Sequence, residues 1–160
     1  DVAMSSFLDL HRPGDPLLMP NPWDIGSARI LVALGARALA TTSSGFAATL
    51  GRPDGSVTRE EAIGHAAAIA AAVDVPVSAD LERCFADDPA GVAETVTLAR
   101  EAGLAGCSVE DFSGTGIYDI GLATERVAAA VEAAGDDLVI TARAENLLHG
   151  GDLDDTIARL

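Results

Sequence analysis

The chain has 160 residues, enough for one domain with a sizeable core, and its 49% hydrophobic content excludes an intrinsically disordered protein. Its formal net charge of −15, with all ten basic residues arginine, argues against binding to nucleic acid or to an anionic membrane surface. Because the sequence contains no lysine, it offers no lysine for Schiff-base chemistry.

Neither a membrane-spanning run nor a secretory signal is visible, and these absences predict a cytoplasmic protein. The two cysteines, Cys84 and Cys107, are too few for a disulfide framework or a cysteine zinc site. We expect both to be structural.

Predicted strands and helices alternate along the chain. A short helix at residues 5–10 comes first. The apolar run at residues 17–20 is the first predicted strand, and a helix follows it from Asp24 to a stop at Gly35. The other predicted strands cover residues 38–42, 75–82, 105–109 and 138–142, and the other helices cover residues 58–72, 88–102, 123–134 and 152–160. Between them, residues 43–45 are predicted as a polar turn and residues 51–55 as a loop.

This alternation predicts a parallel α/β sheet, either in an eight-stranded barrel or in an open doubly wound sheet. Neither G-x-G-x-x-G nor a P-loop follows a strand, so a nucleotide-binding open sheet loses support. Polar residues follow every predicted strand, as in a barrel that gathers its active site at one mouth. Five strand–helix units cannot close a barrel, so we expect residues 1–160 to be a single domain that forms the N-terminal part of a (β/α)₈ TIM barrel.

Carboxylates are concentrated at the predicted strand ends. Asp80 and Glu82 end one strand two residues apart, and alternation along a strand would point both to the same side. A hard divalent cation such as Mg²⁺ would offset their repulsion, while two ordinary solvated acids are the alternative. Glu110 ends the next strand, and Asp54 lies on a loop that could reach the same mouth.

Arg143 follows the last predicted strand and is the positive side chain among the strand ends. A guanidinium binds a carboxylate through two parallel hydrogen bonds, and Mg²⁺ stabilises an enolate. Together these groups predict a small dicarboxylate or 2-oxo acid as the substrate.

Five short motifs, in this order and spacing, resemble the isocitrate lyase and phosphoenolpyruvate mutase superfamily. The resemblance runs from about residue 17 to residue 160. The motifs are NPWDIGSAR at residues 21–29, TTSSG at 41–45 with LG at 50–51 and Asp54, SADLE at 78–82, VED at 109–111, and TARAE at 141–145.

The resemblance implies a barrel that uses Mg²⁺, with Mn²⁺ as the alternative cation, to make or break C–C or P–C bonds beside a 2-oxo acid or its enolate. It also implies a homotetramer. The metal residues that it implies are Asp80, in direct contact, and Asp54, Glu82 and Glu110, through water. The substrate-binding residues are Thr42, Ser43, Ser44 and Arg143, and the catalytic residues are Arg143 and Glu110.

The loop after the strand that ends at Glu110 departs from the family pattern. Isocitrate and methylisocitrate lyases carry a catalytic Cys on this gating loop, and phosphonate-forming mutases carry Lys and Asn, but residues 112–119 contain no Cys, Lys, Arg or His. We therefore predict a Mg²⁺-dependent lyase that cleaves a C–C bond in, or decarboxylates, a small 2-oxo or 2-hydroxy carboxylate. The alternatives are a P–C bond enzyme of the phosphoenolpyruvate mutase or phosphonopyruvate hydrolase type, and a catalytically weak binding or regulatory barrel.

Overall fold

Four parallel strands form the sheet of the computed structural model, which describes residues 7–160. In chain order and in sheet order they are β1 (Leu39–Ala40), β2 (Val77–Ala79), β3 (Gly106–Glu110) and β4 (Val139–Arg143). The helices are α1 (Ile25–Ala33), α2 (Ser43–Thr49), α3 (Arg59–Ala70), α4 (Pro89–Glu101), α5 (Ile120–Ala134) and α6 (Leu153–Arg159), with a 3₁₀ helix (Asn146–His149) between β4 and α6. The predicted parallel α/β fold is confirmed.

Side-chain caps fix where the helices begin. Thr58 accepts a hydrogen bond from the Glu61 N–H, while the Glu61 carboxylate accepts one from the Thr58 N–H, so that α3 begins with the predicted capping box. Asp88 caps α4, with proline at the first helical position, and Asp152 caps α6. These local signals set the starts of the helices independently of tertiary packing.

The hydrophobic core lies between the sheet and the helices that cover it. Ile69 of α3, Val96 of α4 and Ala130 of α5 are buried in one cluster with Val77 of β2 and Cys107 of β3. Strand side chains alternate in direction, so the residue that follows Val77 points to the opposite face of the sheet, away from this core.

No helix within residues 7–160 is long and apolar enough to cross a lipid bilayer.

Two predicted elements take a different form. Residues 17–20 form no strand in the described chain, although the Pro20 carbonyl accepts a hydrogen bond of 3.3 Å from the Ala40 N–H. Proline has no N–H to donate, which limits pairing there. The predicted turn at residues 43–45 is the first turn of α2, capped by the Thr42 hydroxyl. Of the predicted helix at residues 5–10, residues 5 and 6 lie outside the described part of the chain.

Candidate active site at the strand ends

A cavity of about 810 Å³ opens at the carboxyl ends of the four strands. Polar segments follow the strand ends here, at the edge of the sheet where parallel α/β folds bind their ligands. Its lining includes all eight residues predicted for the site: Thr42, Ser43, Ser44, Asp54, Asp80, Glu82, Glu110 and Arg143. The structure therefore brings together residues that are up to about a hundred positions apart in the sequence.

Asp80 lies at the centre of a hydrogen-bond network directly after β2. Its Oδ2 accepts a hydrogen bond from the Ser43 N–H at 2.9 Å, and its Oδ1 accepts one from the Ser108 hydroxyl at 3.1 Å. Its own N–H donates to the Thr41 hydroxyl at 2.9 Å. With its side chain only 14% exposed, Asp80 is held in one orientation by Ser108 of β3 on one side and by Thr41 and Ser43, which follow β1, on the other.

Arg143 is surrounded by carboxylates. Its Nη1 lies 2.7 Å from Glu110 Oε1 and 3.5 Å from Asp80 Oδ1, and its Nη2 lies 2.7 Å from Glu145 Oε1. The guanidinium is still 38% exposed and lines the cavity, so one edge of it faces the space where a ligand would bind.

Glu82 reaches the cavity by a route that strand alternation does not describe. β2 ends at Ala79, and Glu82 has a φ of 51°, in the left-handed region. The turn, and not the pleat of a strand, directs Glu82 beside Asp80, so the reasoning from alternation is wrong at this residue. Its Oε1 is buried and has no hydrogen-bond partner within residues 7–160.

Burial and negative charge disfavour the ionised forms of two of these acids. Burial raises the pKa of Glu82, and the charges of Asp54 and Asp80 raise it further. Burial also raises the pKa of Glu110 to about 7, with Arg143 acting in the opposite direction. A positive ligand in the cavity would relieve both effects.

The donor set is suited to a hard cation. Five acidic side chains and two arginines line the cavity, and carboxylate oxygens are the ligands that Mg²⁺ prefers. The unpartnered Oε1 of Glu82 is an acceptor of the required kind. In the part of the chain from residue 7 onward, no three Asp, Glu, His or Cys side chains already meet in metal-binding geometry, because Arg143 separates Glu110 from Asp80. The residues fit a cation that is also held by water or by substrate.

The segment predicted to bind a carboxylate lies at the start of α2. Ser43 lines the cavity, but its N–H donates to Asp80 and so is already engaged. The hydroxyls of Thr42 and Ser44 lie 3.2 Å apart. A Cβ on Gly45 would approach Trp23 Cδ1 to 2.6 Å, which explains why glycine follows these polar residues.

Aromatic and aliphatic side chains form the rim of the cavity. Phe112 stacks on His149, with ring centroids 3.6 Å apart, and Leu148 lines the same side. Phe112 pairs with Ile117 in an antiparallel bridge, so the loop after β3 is a short hairpin.

Sequence reasoning assigned no role to Ser108 or Thr41 and considered Glu145 only as an alternative ion-pair partner of Arg143, yet all three support the site. Ser108 and Thr41 bind Asp80, and Glu145 holds Arg143. A usable signal was available for Ser108, because a serine two residues before Glu110 in an apolar strand faces the same side as Glu110. Thr41 carries no such local signal, since its partner Asp80 follows a different strand, whereas Glu145 lies only two residues after its partner Arg143.

Comparison with known proteins identifies relatives of this arrangement. The family model described as phosphoenolpyruvate phosphomutase matches residues 7–160. An uncharacterized protein of Mycobacterium tuberculosis is 35% identical over 157 residues, which cover 96% of this chain and 59% of that protein.

Solved structures also include proteins that are similar to this chain. A candidate lyase/mutase from Burkholderia cenocepacia J2315 superposes with a TM-score of 0.92 and 51% identity, over 98% of this chain and 59% of that one. The 2,3-dimethylmalate lyase, described as a member of the PEP mutase/isocitrate lyase superfamily, superposes with a TM-score of 0.88 and 30% identity, over 100% of this chain and 57% of that one. The chain thus spans about three fifths of the length of these relatives and forms part of a TIM-barrel-like fold, as predicted.

Proposed function

The chain belongs to the phosphoenolpyruvate phosphomutase family, within a superfamily of enzymes that act on C–C or P–C bonds, and we propose that it cleaves a C–C bond in, or decarboxylates, a small 2-oxo or 2-hydroxy carboxylate. The observation that carries the proposal is the meeting of Asp80, Glu82, Glu110 and Arg143 at one cavity. The 30% identity to 2,3-dimethylmalate lyase supports C–C cleavage.

We propose Asp80 as the direct ligand of Mg²⁺ or Mn²⁺, with Asp54, Glu82 and Glu110 holding its water ligands. Members of the superfamily generally depend on a divalent metal. When bound, the cation would polarise substrate oxygens and stabilise the negative charge of an enolate. The chain's own contribution is a rigid Asp80, fixed by Ser43 and Ser108, so that little ordering remains to be done when the cation binds.

Substrate recognition is assigned to the two sides of the cavity. Arg143 offers its exposed edge to a substrate carboxylate, while Glu110 and Glu145 fix the plane of the guanidinium. Thr42, Ser43 and Ser44 line the cavity at the start of α2, and their hydroxyls would bind the substrate's other oxygens. Arg143 and Glu110 are the proposed catalytic residues.

The apolar rim supports a compact substrate that is shielded from water. Phe112, Leu148 and the stacked His149 would cover the substrate's far end, because they line the cavity on the side away from β1. We also propose a cytoplasmic homo-oligomer, a tetramer by family resemblance.

A panel of four substrates tests the proposal: oxaloacetate, dimethylmalate, methylisocitrate and phosphonopyruvate, each with Mg²⁺ and with Asp80→Ala as the inactive control. Turnover of a carboxylate with loss of its C–C bond is the expected result. Turnover of phosphonopyruvate alone would establish the second candidate, a P–C enzyme, which the description of the matching family model favours. Mg²⁺ binding without any turnover would leave a binding barrel, which the absence of Cys, Lys, Arg and His from the loop at residues 112–119 favours.

A further inference from the structure

The turn that carries Glu82 has an unusual backbone. Besides Glu82, Cys84 and Phe85 have positive φ values of 58° and 56°, so three non-glycine residues of four occupy the left-handed region. Each such residue costs roughly 1 kcal/mol or more relative to an ordinary conformation, so surrounding contacts must hold the turn. Thr95 of α4 supplies one of them, donating to the Cys84 carbonyl at 2.7 Å.

A buried arginine supplies most of the others. Arg126 of α5 is 1% exposed, and its guanidinium points at main-chain carbonyls of this turn. Its Nη1 donates to the Ala86 carbonyl at 2.5 Å and to the Asp87 carbonyl at 2.8 Å, and its Nη2 donates to the Arg83 carbonyl at 2.8 Å. One side chain therefore binds three carbonyls within residues 83–87.

The same guanidinium also reaches β3. Nη2 lies 3.5 Å from the carbonyl oxygen of Glu110, so Arg126 bridges the turn that carries Glu82 and the end of the strand that carries Glu110. The strand and the turn are joined a second time, since the Glu110 N–H donates to the Glu82 carbonyl at 3.0 Å. Arg126 lies behind the two carboxylates, on the helix side of the sheet.

Tyr118 orients the arginine. The guanidinium carbon lies 4.2 Å from the centre of the Tyr118 ring, close enough for a cation–π interaction. The Tyr118 hydroxyl donates to Asp87 Oδ1 at 2.5 Å, which fixes the far end of the turn. Arg126 and Tyr118 together enclose residues 83–87.

We propose that Arg126, oriented by Tyr118, is a positioning residue for the site: it holds the left-handed turn at residues 82–87 and thereby sets the separation between the Glu82 and Glu110 carboxylates. This inference rests on the proposed function, because those carboxylates matter as holders of the cation's water ligands. An arginine is required because a planar fork of five donors can serve four carbonyls at once, whereas a lysine ammonium has three donors on one atom.

The test compares Arg126→Lys with Arg100→Lys. Arg100 of α4 is a matched control, because it also donates to a main-chain carbonyl, but that carbonyl, of Ala133 at 3.0 Å, lies in α5 and not in the turn at residues 82–87. Hydrogen exchange by mass spectrometry on the peptide containing residues 81–87, Mg²⁺ calorimetry and melting temperature are measured on each protein.

We expect Arg126→Lys to speed exchange in residues 82–87 by on the order of tenfold or more and to weaken Mg²⁺ binding by about ten- to a hundredfold. Arg100→Lys should change neither measurement. Unchanged exchange in this peptide would overturn the proposal whether or not Mg²⁺ binds. Faster exchange with unchanged Mg²⁺ affinity would also overturn it, since the arginine would then only stabilise the fold.

A wild-type protein that binds no Mg²⁺ would remove the proposed metal site, while the exchange measurement would still decide whether Arg126 holds the turn. If Arg126→Lys does not fold, Tyr118→Phe takes its place, because it removes the hydrogen bond to Asp87 and leaves the arginine buried. Smaller changes in the same direction are expected for it, and their absence would contradict the proposal.

Discussion

Arg143 and Glu110 are directly paired residues of the adjacent parallel strands β4 and β3, and Arg143 Nη1 lies 2.7 Å from Glu110 Oε1. The register of the sheet, and not a flexible loop, therefore determines that this ion pair forms. Because its guanidinium contacts Glu145 as well, Arg143 would keep one carboxylate partner if a ligand displaced the other.

We predict that Arg143→Lys lowers kcat/KM by on the order of a hundredfold while Mg²⁺ affinity is kept, because an ammonium cannot make two parallel hydrogen bonds to a carboxylate. Melting temperature and kcat/KM, measured on the same sample with the substrate that the panel identifies, give the answer. A lower melting temperature with unaltered kinetics would mean that Arg143 only braces Glu110 and Glu145.

We predict that Asp80→Ala abolishes Mg²⁺ binding and lowers stability, because the Ser43 N–H and the Ser108 hydroxyl lose their acceptor. Each unsatisfied buried donor costs about 1–3 kcal/mol. Calorimetry and urea denaturation check the two effects. Asp88→Ala, which removes the α4 cap at a distance from the cavity, should lower stability by about 1 kcal/mol and leave Mg²⁺ binding intact.

We predict opposite effects of Glu82→Gln with and without metal. In metal-free protein the variant should melt at a higher temperature, because it removes a buried charge that Asp54 and Asp80 repel. Its Mg²⁺ affinity should nevertheless fall by about ten- to a hundredfold, as for other groups that hold a metal's water ligands. Differential scanning calorimetry with EDTA and with Mg²⁺ measures both, and a lower melting point in EDTA would refute the repulsion argument.

We predict that Gly45→Ala destabilises the protein by about 1–3 kcal/mol, because the new Cβ would lie 2.6 Å from both Thr42 Cγ2 and Trp23 Cδ1. Gly64→Ala is the control: Gly64 is exposed in the middle of α3 with no atom within 4 Å of an added Cβ. Alanine there should raise stability by roughly 0.5–1 kcal/mol. Equal denaturation midpoints for the two variants would contradict the packing described at Trp23.

We predict that His65 makes the fold less stable in acid. Burial lowers the pKa of His65 below its ordinary value of 6.5, and its Nε2 lies 2.9 Å from the Trp23 carbonyl. Below pH 6.5 the unfolded chain therefore binds a proton that the folded chain does not, so stability falls as the pH drops. Melting temperatures between pH 7.5 and 5 should decline less in His65→Gln than in wild type, and parallel curves would disprove the assignment.

Most of the fold was predictable because its signals are local. Capping residues such as Thr58, Asp88 and Asp152 satisfy amide groups within three residues, so the sequence itself contains both partners. The apolar stretches that form β2, β3 and β4 were found for the same reason. The start of α2 was missed, since serine and glycine in residues 43–45 favour a turn until the Asp80 carboxylate accepts a hydrogen bond from Ser43.

The membership of the site was easier to predict than its geometry. Carboxylates at the ends of parallel strands must share one edge of the sheet, which places Asp80 near Glu110 without further information. The left-handed backbone of Glu82 depends on tertiary contacts from a different helix, so no pattern around residue 82 could reveal it. The contact of Arg143 with Glu110 likewise follows from sheet register.

The hairpin after β3 has a tip that is bonded to itself. Ser113 donates its N–H to the Gly116 carbonyl at 2.8 Å, and its hydroxyl accepts hydrogen bonds from the Thr115 and Gly116 N–H groups. The base of the hairpin is anchored separately, where Tyr118 donates its N–H to the Asp111 carbonyl. The tip therefore keeps its shape through its own hydrogen bonds. Other sequences at residues 113–116 could change the rim of the cavity while the carboxylates beneath it keep their positions. Substrate choice could therefore change, in nature or by directed evolution, through substitutions in this segment alone.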